Sequence, residues 1–599
     1  MNSEMRFVLA VVLMLGVLVG TNLLFQGDPP PERDPAAVPG QVEAPDPGDV
    51  EVEDPAQAPG TAAPGQAAPP RIPDMAPALP PLDQEEDPVA GLDLAEELPD
   101  PSAAATSVVV EGPLYSYTFS TLGAQLTSAR LNRWNSFTRP GPVELVGDDV
   151  AGLLGSRIVV GADTVDLRNL VFEVEPAGGL TFTEGSEPAD VTFRYTHPDR
   201  PFSFEVRYTF DPGAYLIRAQ GRVRGLERGL LVTDLGRGLA FNEVDTGDEA
   251  RAMAYAVNHL QNGITSNELS KIDVAKVEEG PFFWAALRSR YFVLVAMPAA
   301  SPAIEGGAEY LGGLIVRPVP RASGDDEPDA DFAVTQSLGS GGTFAFRIFA
   351  GPQDYALLGA LGNDLQEVNP VGWRFLRPLL RPFVAGIMWV LIFMHENLAL
   401  GYGLVLILFG LLMRIVLFPL YHKAMKAQLK NMAVQPLLKE IQTKYKDNPE
   451  KLQKELMKLY KEHGFNPLAG CWPMLLPWPI LIALFFVFQN TIELRGVPFA
   501  WLPDLSAKDP LFILPVLLGV SMFFLQWISM RTIEDLQPQM KMMMYVLPVV
   551  MVVIFANFPS GLNLYYLTAN VATLPQSWWI ANERQKMQGQ KKAAVPAPG

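Results

Sequence analysis

One arginine, Arg414, stands inside an otherwise apolar run, Leu398 to Leu420, that is long enough to cross a bilayer. A charge near the middle of such a segment costs about 2.5–3.5 kcal/mol on insertion scales, so it persists only where water, a partner or a polar cavity meets it. Four more apolar segments follow: Cys471–Asn490, Leu511–Ser529, Met542–Phe558 and Leu562–Ile580. None carries an obvious acid to pair with Arg414. At about 1.5 Å rise per residue they cover about 25–35 Å, close to the hydrocarbon thickness. Met542–Phe558 is the short one, where the bilayer would thin. The pattern predicts an all-α transmembrane bundle with a wet groove around Arg414. The alternative is an arginine about two turns from the cytoplasmic edge that snorkels to the surface.

The rest of the chain differs in kind. Net charge is −19, and most of it lies in a lysine-poor first part. No lysine precedes Lys271, and after Lys276 the next is Lys423, which opens a dense run through Lys461. Clustered lysines beside spans mark the cytoplasmic side. The acidic balance argues against nucleic acid as a direct partner. The single cysteine, Cys471, forms no internal disulfide, so an exported domain must be stable without one. The histidines (His197, His259, His395, His422, His463) form no ligand pair at helical spacing. There is no nucleophile elbow and no phosphate-binding glycine loop, and no cofactor or metal is expected.

Along the chain, residues 1–25 hold an apolar segment, Phe7–Phe25, after Arg6. It reads as a cleaved signal or a retained anchor. The run continues past Gly20 with no clean small-x-small site before Asp28, which favours the anchor. Residues 26–102, rich in Pro, Ala, Asp and Glu, cannot bury enough apolar surface to offset chain entropy and read as a tether. Residues 103–370 change to short β-type runs: Ser107–Val110, Tyr115–Ser120, Val191–Tyr195, Phe202–Phe210, Tyr215–Arg222, Tyr291–Met297 and Thr343–Phe349. Strict alternation from Phe202 to Phe210 puts its apolar residues on one face, so a large antiparallel sandwich is predicted. A helix between Gly351 and Asn369 would close it.

In residues 371–396, Arg374, Arg377 and Arg381 recur every three or four positions, with Pro378 and Pro382 among them. They line one helical face, which predicts an amphipathic helix in the interface; a true span is the alternative. Residues 397–582 hold the five spans and, at 421–466, a cytoplasmic hairpin. Its second helix is capped by Asn448, with Pro449 at the first position and Glu450 near the positive end of the dipole. Gly464 ends it. Most hairpin lysines are a solvated face; Lys423, Lys426, Lys430, Lys451, Lys454 and Lys458 are candidates for binding anionic lipid or a ribosome. With the anchor there are six crossings. An inner amino end places the β domain outside, the lysines inside, and the tail of residues 583–599, with Arg584, Lys586, Lys591 and Lys592, inside.

Several strings in the last third recur together. They are Arg414 before Phe418-Pro419-Leu420; Asn466-Pro467-Leu468 through Cys471-Trp472-Pro473; Glu493-Leu494-Arg495; Asp504-Leu505-Ser506 leading to Asp509-Pro510; and Phe558-Pro559-Ser560-Gly561-Leu562 before Tyr565-Tyr566. In order and spacing, and with the lysine hairpin, they resemble bacterial members of the YidC/Oxa/Alb membrane insertase family over about Gly372 to Arg584. The resemblance implies the Gram-negative form: an anchor, a periplasmic β-supersandwich of galactose-mutarotase type, and a five-helix core in the inner membrane. It implies a non-enzymatic insertase and chaperone for nascent inner-membrane proteins, working alone or with the Sec translocon, and served by the ribosome or signal-recognition machinery. The family's groove arginine falls on Arg414. Its substrate-contacting faces fall on Tyr565 and Tyr566 and on the segment around Cys471–Pro479, which brings in Trp472 and Trp478. Gln526 and Asn570 are further polar groove candidates from the residues themselves. Two departures stand out. Gly410, one turn before Arg414, replaces a hydroxyl residue found in some members, and Pro473, Pro477 and Pro479 crowd one span.

Bland readings remain beside these. Tyr565 and Tyr566 suit interfacial aromatics, and Gln526 and Asn570 suit interhelical hydrogen bonds. Two rival functions remain too. A transporter would show inverted repeats and paired intramembrane charges, and neither is visible. A periplasmic sugar enzyme would need a pair such as His197 and His259 with Glu243 or Asp245.

Overall fold

The computed structural model describes residues 105–593 except 149, 227, 300–305, 320–329, 371–375, 420–436, 438–439, 442, 446–447, 463–477 and 532–537. The anchor, the tether and most of the first hairpin helix therefore lie outside the described residues.

Alternation does what it predicts. In strand Ser203–Phe210, Phe204, Val206, Tyr208 and Phe210 turn inward, and Arg207 turns out. Its register sets Glu205 opposite Arg194 of strand Ala189–Thr196, where the two form an ion pair at 2.9 Å. A fourteen-stranded sheet built this way faces a five-stranded one made from Ser107–Glu111, Tyr115–Ser120, Gln125–Asn135, Pro142–Glu144 and Leu180–Thr181. Aromatics from both faces interdigitate. Phe119 of the small sheet meets Tyr208 and Phe193 of the large one at 5.2 and 5.7 Å, and the Tyr117 hydroxyl donates to the Ala350 carbonyl. Face-to-face sheets with a shared aromatic core make the predicted β-sandwich.

Helix α1, Thr246–Ala252, sits on the rim of the sandwich, capped by Asp245. The closing helix α2 is Tyr355–Leu361, shorter than the predicted interval. Gly351 still belongs to strand Thr343–Pro352, Asp354 caps α2 through the Leu357 N–H, and Gly362 ends it at φ +83°.

The carboxy-terminal part is helical: α3 Arg377–Leu398, α4 Tyr402–Val416, α5 Pro449–Glu462, α6 Trp478–Asn490, α7 Ile513–Met530, α8 Pro538–Phe555 and α9 Ser560–Ala593. Packing α6 on α3, and α9 along both α4 and α7, buries Leu406, Phe409, Leu484, Phe488, Leu562 and Tyr565 in one core. Boundaries move for local reasons. Ala399 in the left-handed region and an extended Gly401 delay α4 beyond Leu398. The Asp509 carboxylate takes the N–H groups of Leu511 and Leu514 at the head of α7. Helix α9 runs past Ile580 and carries Arg584, Lys586, Lys591 and Lys592 as continuous helix. Among the described residues, α3 and α7 are long and apolar enough to cross a membrane, and α4 is a shorter apolar helix.

Candidate functional site

Arg414 lies in the last turn of α4, half-buried. Its Nη2 donates to Oε1 of Gln576, 162 residues further on, in α9. Sequence reading misses Gln576. The signal for it is a spacing: Asn570, Thr573 and Gln576 recur every three residues, a polar stripe that winds around α9 by about 60° per step, from the side that meets α7 to the side that meets α4. Asn570 donates to the Ser521 hydroxyl of α7 at 3.1 Å, and Ser521 donates to the Leu518 carbonyl. Gln526 lies further along α7, and its buried Oε1 has no partner among the described residues. An unpartnered buried acceptor costs about 1–3 kcal/mol, which a water would relieve.

The two tyrosines part company. Tyr565 is 4% exposed and packs between Phe409 and Phe488 at 5.7 and 6.0 Å, so it is a core residue, not a surface one. Tyr566 is half-buried with its ring edge-on to Phe555. Gly410 is buried where α4 crosses α9; a Cβ there would stand 3.2 Å from the Thr568 methyl. Its smallness lets the two helices close beside Arg414. Pro479 sits in the first turn of α6, where a missing N–H costs nothing. Trp478 opens α6; Trp472, Pro473 and Pro477 lie outside the described residues, as do Lys423, Lys426 and Lys430. Lys451, Lys454 and Lys458 are exposed on α5, and the predicted Asn448 cap forms, its Oδ1 accepting the Lys451 N–H at 3.1 Å.

A second polar cluster joins the bundle to the sandwich. Arg495, in the loop after α6, pairs with Glu243 at 2.6 Å, donates to the Asn242 carbonyl and lies over the Phe137 ring at 4.3 Å. Lys508 pairs with Asp245 and Asp248 of α1. Arg377 donates to the Ile264 carbonyl and Arg381 pairs with Glu367, so the arginine face of α3 docks on the β domain instead of facing headgroups alone. These bonds dissolve the sugar-enzyme constellation. Glu243 and Asp245 serve bundle cations, while the Nδ1 atoms of His197 and His259 each accept two backbone N–H groups in their own turns.

Two family models match the chain: "YidC periplasmic domain" over residues 107–385 and "60Kd inner membrane protein" over residues 393–588. The membrane protein insertase YidC of Chlorobium limicola is 32% identical over 527 residues, covering 83% of this chain and 86% of the relative. The protein of that name from Chlorobaculum tepidum is 31% identical over 523 residues, covering 82% and 85%. A solved structure of an active YidC insertase with its first transmembrane domain resolved aligns over 79% of this chain and 92% of its own, at 18% identity and a TM-score of 0.33. With a periplasmic β-sandwich domain, a helical carboxy-terminal region and this extent of identity, the chain belongs to the YidC family of membrane protein insertases.

Proposed function

We propose that nascent membrane proteins enter through a hydrophilic groove bordered by α4, α7 and α9. Insertion of proteins into the inner membrane is the family's non-enzymatic activity, and nascent membrane proteins are its clients. The problem is passing a polar segment through hydrocarbon, where each unsatisfied backbone group costs several kcal/mol. A groove reaching partway shortens that path. The reading rests on the Arg414–Gln576 bond, a half-buried charge held by a polar partner on a neighbouring helix. Arg414 attracts acidic residues of the leading segment, and Gln526, Asn570 and Gln576 hold water. Tyr566 and the first turn of α6, including Trp478, grade towards lipid, with Trp472 before them; Tyr565 stiffens the wall. Burial of the client's apolar span, at about 25 cal/mol per Å², drives the step. Exported acidic segments gain about 2.3 kcal/mol per charge at 100 mV.

The same reading includes six crossings, both chain ends inside, and α3 lying along the outer boundary. The last is supported by bonds at both ends of α3: Arg377 and Arg381 engage the β domain, while His395 stacks on Tyr402 at the head of α4. Lys423, Lys426, Lys430, Lys451, Lys454 and Lys458 offer a cationic surface to anionic lipid, a ribosome or the signal-recognition machinery. Cooperation with the Sec translocon completes the proposal. Photocrosslinkers at Arg414, Trp478 and Tyr566, tested against a stalled nascent membrane protein, should all capture the client. Capture at none of them ends the groove assignment.

A further inference from the structure

A cavity of about 90 Å³ opens where the end of the β domain, the first turns of α3 and the end of α6 converge. It is lined by two cations, Arg377 and Arg381, and two acids, Glu367 and Glu493, beside an apolar wall that includes Val384 and Phe486. Arg381 already pairs with Glu367. Glu493 differs. Its carboxylate accepts the Tyr355 N–H, its charged neighbour is Asp354, and no ion pair reaches it among the described residues. Burial and then Asp354 push its carboxyl up to about 7. A half-buried acid without a cation is a group that a ligand cation would relieve.

We infer that this cavity takes the headgroup of phosphatidylethanolamine from the outer leaflet, with the ammonium on Glu493 and the phosphate on Arg381 and Arg377. The inference rests on the proposed topology, which sets the cavity at the outer boundary. Charge complementarity selects the occupant. A primary ammonium carries N–H donors that a carboxylate can accept, whereas the trimethylammonium of phosphatidylcholine carries none and phosphatidylglycerol brings no cation. A guanidinium carries five donors in a fork matched to phosphate, so Arg381 can serve Glu367 and a phosphate together. The volume suits the ethanolammonium end, with the phosphate at the mouth.

Native mass spectrometry of the full chain in detergent, titrated with the three lipids bearing identical acyl chains, tests this. Phosphatidylethanolamine should bind at least about fivefold tighter than phosphatidylcholine, a gap of about 1 kcal/mol. Glu493→Gln should erase that gap while leaving lipid-free thermal stability equal or higher, since a half-buried charge with no cation is lost. Equal binding by the wild type, or a gap that survives Glu493→Gln, overturns the assignment. Displacement by soluble glycerophosphoethanolamine at equal concentration would also overturn it, because the apolar wall would then contribute nothing. Topology has its own readout: in a Cys471→Ser background, Asp364→Cys should react with an impermeant maleimide added outside. Failure there removes the outer leaflet as source, whatever the lipid titration gives.

Discussion

Arg495 and Glu243, 252 residues apart, meet nitrogen to oxygen at 2.6 Å with side chains only 2% and 9% exposed. One belongs to the loop after α6 and the other to the rim of the sandwich, so the pair ties two domains of different solvent histories. Burial raises the Glu243 carboxyl, and Arg495 draws it back down. Removing one partner of such a pair strands the other. Arg495→Ala should therefore cost about 3–5 kcal/mol, read as a lower Tm and faster proteolysis around Glu243. The double variant Arg495→Met with Glu243→Leu should recover much of the loss. A single variant as stable as the wild type would mean the pair is not desolvated.

Arg414 is expected to act by charge. In cells depleted of the native protein, Arg414→Ala should rescue insertion of simple inner-membrane proteins poorly, and Arg414→Lys much better. Gln576→Leu should fall between them, since it removes one hydrogen-bond partner of the arginine and leaves the charge. Full rescue by alanine would end the role assigned to Arg414 and leave the family assignment intact.

Glu249 gives a pH signature. It is fully buried, and its Oε2 accepts the N–H groups of Asn242 and Glu243. Burial first and the Glu243 charge second push its carboxyl from 4.5 to about 7, against the pull of those two N–H bonds and, less, of Arg495. The folded state therefore holds more protons than the unfolded state between those values, so stability falls as pH rises through that window. The effect is on the order of 3 kcal/mol at most. Unfolding midpoints at pH 5 and pH 8 should differ in that direction, and Glu249→Gln should shrink the difference. An unchanged slope would assign it to other groups.

Gly410 tests how close α4 and α9 must lie. Gly410→Ala asks the Thr568 side chain to yield by a few tenths of an ångström and should be nearly neutral in rescue. Gly410→Leu must part the helices beside Arg414; overpacking of this kind costs about 1–3 kcal/mol. Rescue should fail and Tm should drop. A leucine variant with normal rescue would show that the contact is dispensable.

Much of this was legible along the chain. Period-two alternation from Phe202 to Phe210 and the cap at Asn448 are local facts: each depends on side chains within a few residues and on water or oil as solvent, so sequence settles them. Apolar length likewise marked the helical carboxy-terminal region before any fold was known. Partnership was not legible. That Arg414 bonds Gln576, that Tyr565 turns into the core while Tyr566 stays half-buried, and that the arginines of α3 dock on Ile264 and Glu367 depend on which helix faces are brought together. Side-chain pairing between residues hundreds apart follows packing of whole elements, and no local periodicity encodes it. Sequence thus determined the kinds of surface this protein makes, and tertiary structure decided which of those surfaces meet.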